Sequence, residues 1–170
     1  MNKYISLVIL LINLSVVFSV PVGAPNRNYI VGILRNEDDA YYDDLTVDER
    51  FAVDELVNER MNDIYQLIYD NRGTYNKYWD DSKLNELDKH FPLPENKKFK
   101  FLNNKSWRVY EFGNMVSDEY IPITSDLVSH ICPIKNYYAV LVYLSDPLVN
   151  MVKELPNVIY VDKSSYTYPS

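Results

Sequence analysis

Apolar positions fall into a small number of runs separated by polar stretches. Tyr29-Ile30-Val31-Gly32-Ile33-Leu34 is almost continuously apolar and β-rich, within a strand expected over Asn28 to Asn36. A run of that kind suits the middle of a sheet. From Val53 the period changes. Val53, Leu56, Val57, Met61, Ile64, Leu67 and Ile68 recur at helical spacing along one stripe. Thr46 with Glu49 reads as a capping box at the start of this helix, and the helix is expected to run to about Asn71 and stop near Gly73. Thr74 to Lys105 is polar and irregular, with a short helix at Lys83 to Lys89, and reads as an insertion on the surface. Trp107 to Phe112 alternates as a strand, whereas Met115 to Pro133 is ambiguous and includes a possible helical turn from Ser125 to His130.

The C-terminal third is clearer. Tyr137 to Leu144 is a strand with Tyr138, Val140, Val142 and Leu144 on one face and Tyr137, Ala139, Leu141 and Tyr143 on the other. Ser145 or Asp146 caps the helix that follows, and Pro147 occupies its first turn, where a missing N–H costs nothing. Leu148, Val149, Val152 and Leu155 form its apolar side, Pro156-Asn157 ends it, and Val158 to Val161 is the last strand. The order strand, helix, strand, strand, helix, strand predicts an α+β fold, a ferredoxin-like βαββαβ antiparallel sandwich with both helices on one sheet face. Val140, Val142, Ile159, Leu56, Ile64 and Val152 are expected in the shared core. Insertions are expected at about 74–105 and 115–136.

The first residues change the picture of where the chain goes. Lys3 precedes an apolar stretch from Ile5 to Phe18, too short to span a bilayer comfortably. This predicts a signal peptide over 1–19, cut after Ser19, and a secreted mature chain with no stable membrane anchor. The globular part would then be 20–162, followed by a tail over 163–170. Net charge is -7, which places nucleic acid low among partners. Lys97, Lys98 and Lys100 read as a solvated loop, and the acidic stretch Glu37 to Asp44 lacks the glycine turn of a calcium site. Cys132 is the sole cysteine and reads as a small core residue, so no internal disulfide forms. Asn104-Lys105-Ser106 is an acceptor for N-linked sugar.

Candidate chemistry is thin. His90 and His130 are the only bases of their kind, neither in a glycine-framed turn, and no G-x-S-x-G elbow occurs. His90 with Asp88, and His130 with Cys132, are pairs and not ligand sets, so no metal or cofactor is expected. The 4 glycines are scattered, which leaves no phosphate-cradling loop. The expectation is a protein that is not an enzyme.

Two segments carry a resemblance. The first is Asn28-Tyr29-Ile30-Val31-Gly32-Ile33-Leu34. The second runs from Ala139 through Ser145-Asp146-Pro147-Leu148-Val149 and Leu155-Pro156-Asn157-Val158-Ile159-Tyr160-Val161-Asp162. Together they resemble the propeptide, or peptidase-inhibitor, domain of secreted fungal-type subtilisin-like serine proteases. The resemblance implies a partner protease of that class and a protein that is a monomer when free. The bare sheet face, with Tyr137, Leu141 and Tyr143, would pack on the protease. Asp118 and Glu119 would take the part of carboxylates that cap helices of the enzyme. The tail Tyr166-Thr167-Tyr168-Pro169-Ser170 would lie in the active-site cleft as an added strand. The chain ends where a protease domain would begin. Alternatives are an orphan propeptide of a truncated protease gene, or a secreted tyrosine-rich binding or structural protein, with an enzyme of unknown type a weaker third.

Overall fold

The computed structural model describes residues 25–35, 55–78, 82–102 and 119–165. The expected signal peptide, the acidic stretch Glu37 to Asp44, the capping box at Thr46, the strand at Trp107 to Phe112, Asn104, Asp118 and the tail Tyr166 to Ser170 lie outside the described residues. The elements in chain order are β1 (Arg27–Leu34), α1 (Glu55–Asp70), α2 (Leu87–His90), β2 (Lys98–Phe101), β3 (Tyr120–Ile123), β4 (Val128–Ile134), β5 (Tyr137–Leu144), α3 (Asp146–Lys153) and β6 (Val158–Lys163). Short 3₁₀ turns at Arg72–Thr74 and Ser82–Glu86 lie between α1 and α2. The fold is α+β.

Four strands form one sheet in the order β4-β5-β1-β6, every neighbouring pair antiparallel. The two most apolar strands, β5 and β1, take the centre, as their lack of alternation requires. Val31 sits opposite Val140 on one side and Val161 on the other. One face of the sheet carries Tyr29, Val31 and Ile33 of β1, Tyr138, Val140 and Val142 of β5, and Val161 of β6. Val57, Met61, Ile64 and Ile68 of α1 and Leu148 and Val152 of α3 join these residues in a single buried cluster. Helix α3 starts as the sequence suggests, with Ser145 at the N-cap and Pro147 in the first turn. After α3 the chain reverses at Asn157, which adopts the left-handed conformation (φ 63°) that asparagine tolerates, and the Asn157 carbonyl accepts a 2.8 Å hydrogen bond from the Leu34 amide.

Three expectations are corrected. Ile159 is not in the core but 48% exposed. The β1–β6 register shifts between Gly32 and Ile33, so Gly32 faces Tyr160 and Ile33 faces Val158, and Ile159 is the extra residue of a bulge. Ser125 to His130 does not form a helical turn. Val128 onward is strand β4, joined to β5 by a tight turn at Lys135 and Asn136, so the described part of the insertion expected over 115–136 carries strands β3 and β4, and β4 fills the place beside β5. Pro133 is compatible with this because, among the described residues, β4 is an edge strand, where a missing N–H need not pair.

The third correction concerns Thr74 to Lys105, which is not a surface insertion. Tyr75, Leu84, Leu87, Phe99 and Phe101 are buried in the same cluster as the sheet. The polar composition of this stretch belongs to the outward halves of short turns, while the i, i+3 pair Leu84/Leu87 and the alternating pair Phe99/Phe101 point inward. Strand β2 is held in an unusual way. On one side it pairs in parallel with β3. On the other, the Asn58 and Asn62 amides of α1 take the place of a strand. Asn58 donates to the Phe99 carbonyl (2.9 Å) and accepts from the Phe101 amide (3.0 Å). Asn62 donates to the same carbonyl (2.8 Å) and accepts from the Phe99 amide (2.8 Å). Spaced one helical turn apart, the two amides offer the alternating donors and acceptors that an extended chain needs.

Candidate interaction surface

The sheet face opposite the helices is set by the pleat. Ile30, Gly32 and Leu34 of β1 share it with Tyr137, Ala139, Leu141 and Tyr143 of β5, with Ser129, Cys132 and Ile134 of β4, and with Tyr160 and Asp162 of β6. Its centre is low. Ala139 faces Gly32, and Gly32 in turn faces Tyr160. The Tyr160 ring lies on Gly32 so closely that a Cβ there would come within 2.3 Å of its Cε1 atom. This is a reason for glycine inside an otherwise apolar strand. Tyr137 stands edge-on to Tyr160, ring centres 5.6 Å apart at 81°. The Tyr160 phenol is pushed up to about 12, first by burial and then by a hydrogen bond with Tyr137, so the Tyr160 hydroxyl stays protonated near neutrality. Cys132, half-buried and facing Ala139, has its thiol raised by burial alone, which makes it a poor nucleophile. Apart from the exposed Asp162 toward the end of β6, the described part of this face is an aromatic and apolar platform, of the composition found at interface cores.

Of the residues expected there, Tyr137 and Leu141 lie on this face, Tyr137 half-buried and Leu141 buried by its neighbours. Tyr143 is on the same side of β5 but is 5% exposed. The Tyr75 ring packs against it at 5.9 Å, the Lys83 ammonium sits 4.8 Å over its ring, and the Tyr75 hydroxyl donates to its carbonyl at 2.8 Å. Tyr143 is thus corrected from contact surface to buried anchor for the turn at Arg72–Thr74 and the segment after it. Glu119 is exposed at the start of β3, its carbonyl accepting from the Lys98 amide at 2.9 Å. Tyr160 and Gly32, the centre of the platform, carry a sequence signal only in combination: a glycine inside an apolar strand, and a tyrosine in the last strand that must meet it.

A second polar cluster has the residue types of a catalytic site but not its geometry. The Tyr65 hydroxyl donates to Glu86 Oε1 (3.1 Å) and meets His90 Nδ1 at 2.7 Å. Ser125 donates to the same carboxylate, while its oxygen accepts from the Leu127 and Val128 amides, both at 3.0 Å. The second Glu86 oxygen accepts from the Asp126 amide at 2.9 Å. Glu86 and Ser125 thus serve the turn that leads into β4. The serine lone pairs are occupied, and its proton goes to a carboxylate and not to histidine, the reverse of an activated nucleophile. Among the described residues no group of three or more histidine, cysteine or carboxylate side chains is placed to hold a metal, and no helix is long and apolar enough to cross a membrane. The chain matches no protein-family model, no curated protein and no solved structure.

Proposed function

We propose that this chain is a secreted, propeptide-like inhibitor or folding chaperone of a subtilisin-like serine protease, a ferredoxin-like domain exported by a signal peptide at 1–19. The observation that carries the reading is the arrangement of the sheet. Its order β4-β5-β1-β6, with α1 and α3 both in the cluster on one face, is what a split βαβ pair would produce, and it leaves the tyrosine platform on the other face for a partner. In this reading Tyr137, Leu141 and Tyr160 meet the protease surface, Asp118 and Glu119 act as carboxylates that cap helices of the enzyme, Asn104 is an acceptor for sugar, and Tyr166 to Ser170 enter the cleft. Catalysis belongs to the partner.

The test compares mature protein with a form ending at Lys163, both titrated against a panel of secreted subtilases. Dependence on the tail should appear as a loss of inhibition of at least tenfold, about 1.4 kcal/mol. Equal potency of the two forms would remove the tail from the mechanism. Absence of inhibition by either form would turn the reading toward an orphan propeptide or a tyrosine-rich binding protein.

A further inference from the structure

His130 is the buried titratable group that nothing above uses. It lies on the helix-facing side of β4, opposite Val140, and is 8% exposed. Neither ring nitrogen has a hydrogen-bond partner among the described residues. Among the described residues its aromatic neighbour is Tyr138 of β5, ring centres 5.4 Å apart. The Arg35 guanidinium, at the end of β1, already stands 5.1 Å from the centre of that same Tyr138 ring. Glu86, the carboxylate bonded to the turn before β4, is engaged by the Tyr65 and Ser125 hydroxyls and the Asp126 amide. Cys132, on the same strand, faces the opposite side of the sheet. Among the described residues no carboxylate is paired with the His130 ring, and a second cation would join a ring that a guanidinium already covers. A neutral imidazole in this place tolerates its missing hydrogen bonds; a charged one does not.

The strand that carries it is, among the described residues, an edge of the sheet. Among the described residues β4 pairs only with β5, its register is broken between His130 and Cys132, and Pro133 contributes no N–H. Local opening of such a strand costs less than global unfolding. We propose that His130 is an acid-sensitive latch: its neutral imidazole seats β4 on the core, and protonation from solvent expels the ring and releases the β4 edge. Because Ser129, Cys132 and Ile134 belong to the open face, release of β4 also dismantles one side of the platform, whatever partner the platform binds.

Burial alone holds the His130 pKa at about 4, below the ordinary 6.5. The sign follows from linkage. The opened strand binds the proton more tightly than the closed one, so the latch is fully closed above about pH 6.5, weakens as pH falls from there, and has lost its whole contribution below about pH 4. Between pH 7 and pH 5 the opening equilibrium should rise about twentyfold.

Hydrogen exchange on the full chain reads this directly. After correction for intrinsic exchange, the protection of Val128, Cys132 and Ile134 should fall about twentyfold from pH 7 to pH 5, while that of central β1 and of α3 changes far less. In His130→Phe the difference between pH values at β4 should vanish. Should that variant not fold, the His130 ring in the unaltered protein decides by NMR titration, with His90→Asn used to assign the resonance. A midpoint below about 5 supports the latch. A midpoint near 6.5, or equal loss of protection in all strands, overturns it.

Discussion

The two sheets of this protein are held by different means. In the four-stranded sheet, β1 and β5 have a strand on either side, and the side chains that face α1 and α3 are aliphatic or aromatic. In the small sheet, β2 has a strand on one side only, and two asparagine amides from α1 on the other. The first arrangement needs an apolar pattern and tolerates many sequences that keep it. The second needs two particular side chains, four residues apart, each using donor and acceptor at once. A buried amide that fits stabilises modestly, and one that is removed leaves main-chain groups stranded.

That contrast orders the expected effects of substitution. Val142→Asp is the severest, because it places a carboxylate on the fully buried face of β5; no cooperative unfolding transition should remain in a urea titration. Asn58→Ala should cost roughly 2–3 kcal/mol, since Asn58 is fully buried and the Phe101 amide loses its partner. Hydrogen exchange would localise the damage: Phe99 and Phe101 should lose protection while Val31 and Val140 keep theirs, and uniform loss would erase the distinction between the sheets. Asn62→Ala also takes an acceptor from a main-chain amide, that of Phe99, but should cost less, roughly 1 kcal/mol, because Asn62 is only half-buried.

On the open face, Gly32→Ala should cost about 1–2 kcal/mol by displacing the Tyr160 ring, and the cost should largely disappear in a Tyr160→Ala background. Additive losses in that cycle would mean that the ring does not rest on Gly32 in solution. The smallest effect belongs to Ile159→Thr, within about 0.5 kcal/mol, as expected for an exposed bulge residue.

The same contrast explains what can be read from sequence. β5 and α3 are legible because a long β-rich run and a Ser-Asp-Pro start are local signals, and the stripe from Val57 to Ile68 reveals α1 in the same way. β4 is not legible: Ser125 to His130 carries no clear alternation, and Pro133 argues against a strand unless one knows that the strand is an edge. β2 is hidden because Asn58 and Asn62 look like ordinary polar positions on a helix until Phe99 is placed beside them. For the surface, alternation in β5 is enough to put Tyr137 and Leu141 on one face. It cannot show that Tyr75 buries Tyr143, a contact across 68 residues, nor that a bulge turns Tyr160 onto Gly32 and leaves Ile159 outside. Periodicity assigns faces; register and long-range contact decide which faces stay open.

The position of β1 bears on how the chain assembles. Both of its neighbours, β5 and β6, are made roughly a hundred residues or more after it, so no local hairpin can shelter it. During synthesis this apolar strand emerges early, waits without a partner until Leu144 has been made, and lacks its second neighbour until Lys163 has left the ribosome. The sheet can then be completed only as a late event, around a segment that until then keeps at least one unpaired, aggregation-prone edge. A factor that binds extended apolar chain would find its best target between Tyr29 and Leu34, and its release would be timed by the arrival of the last strand.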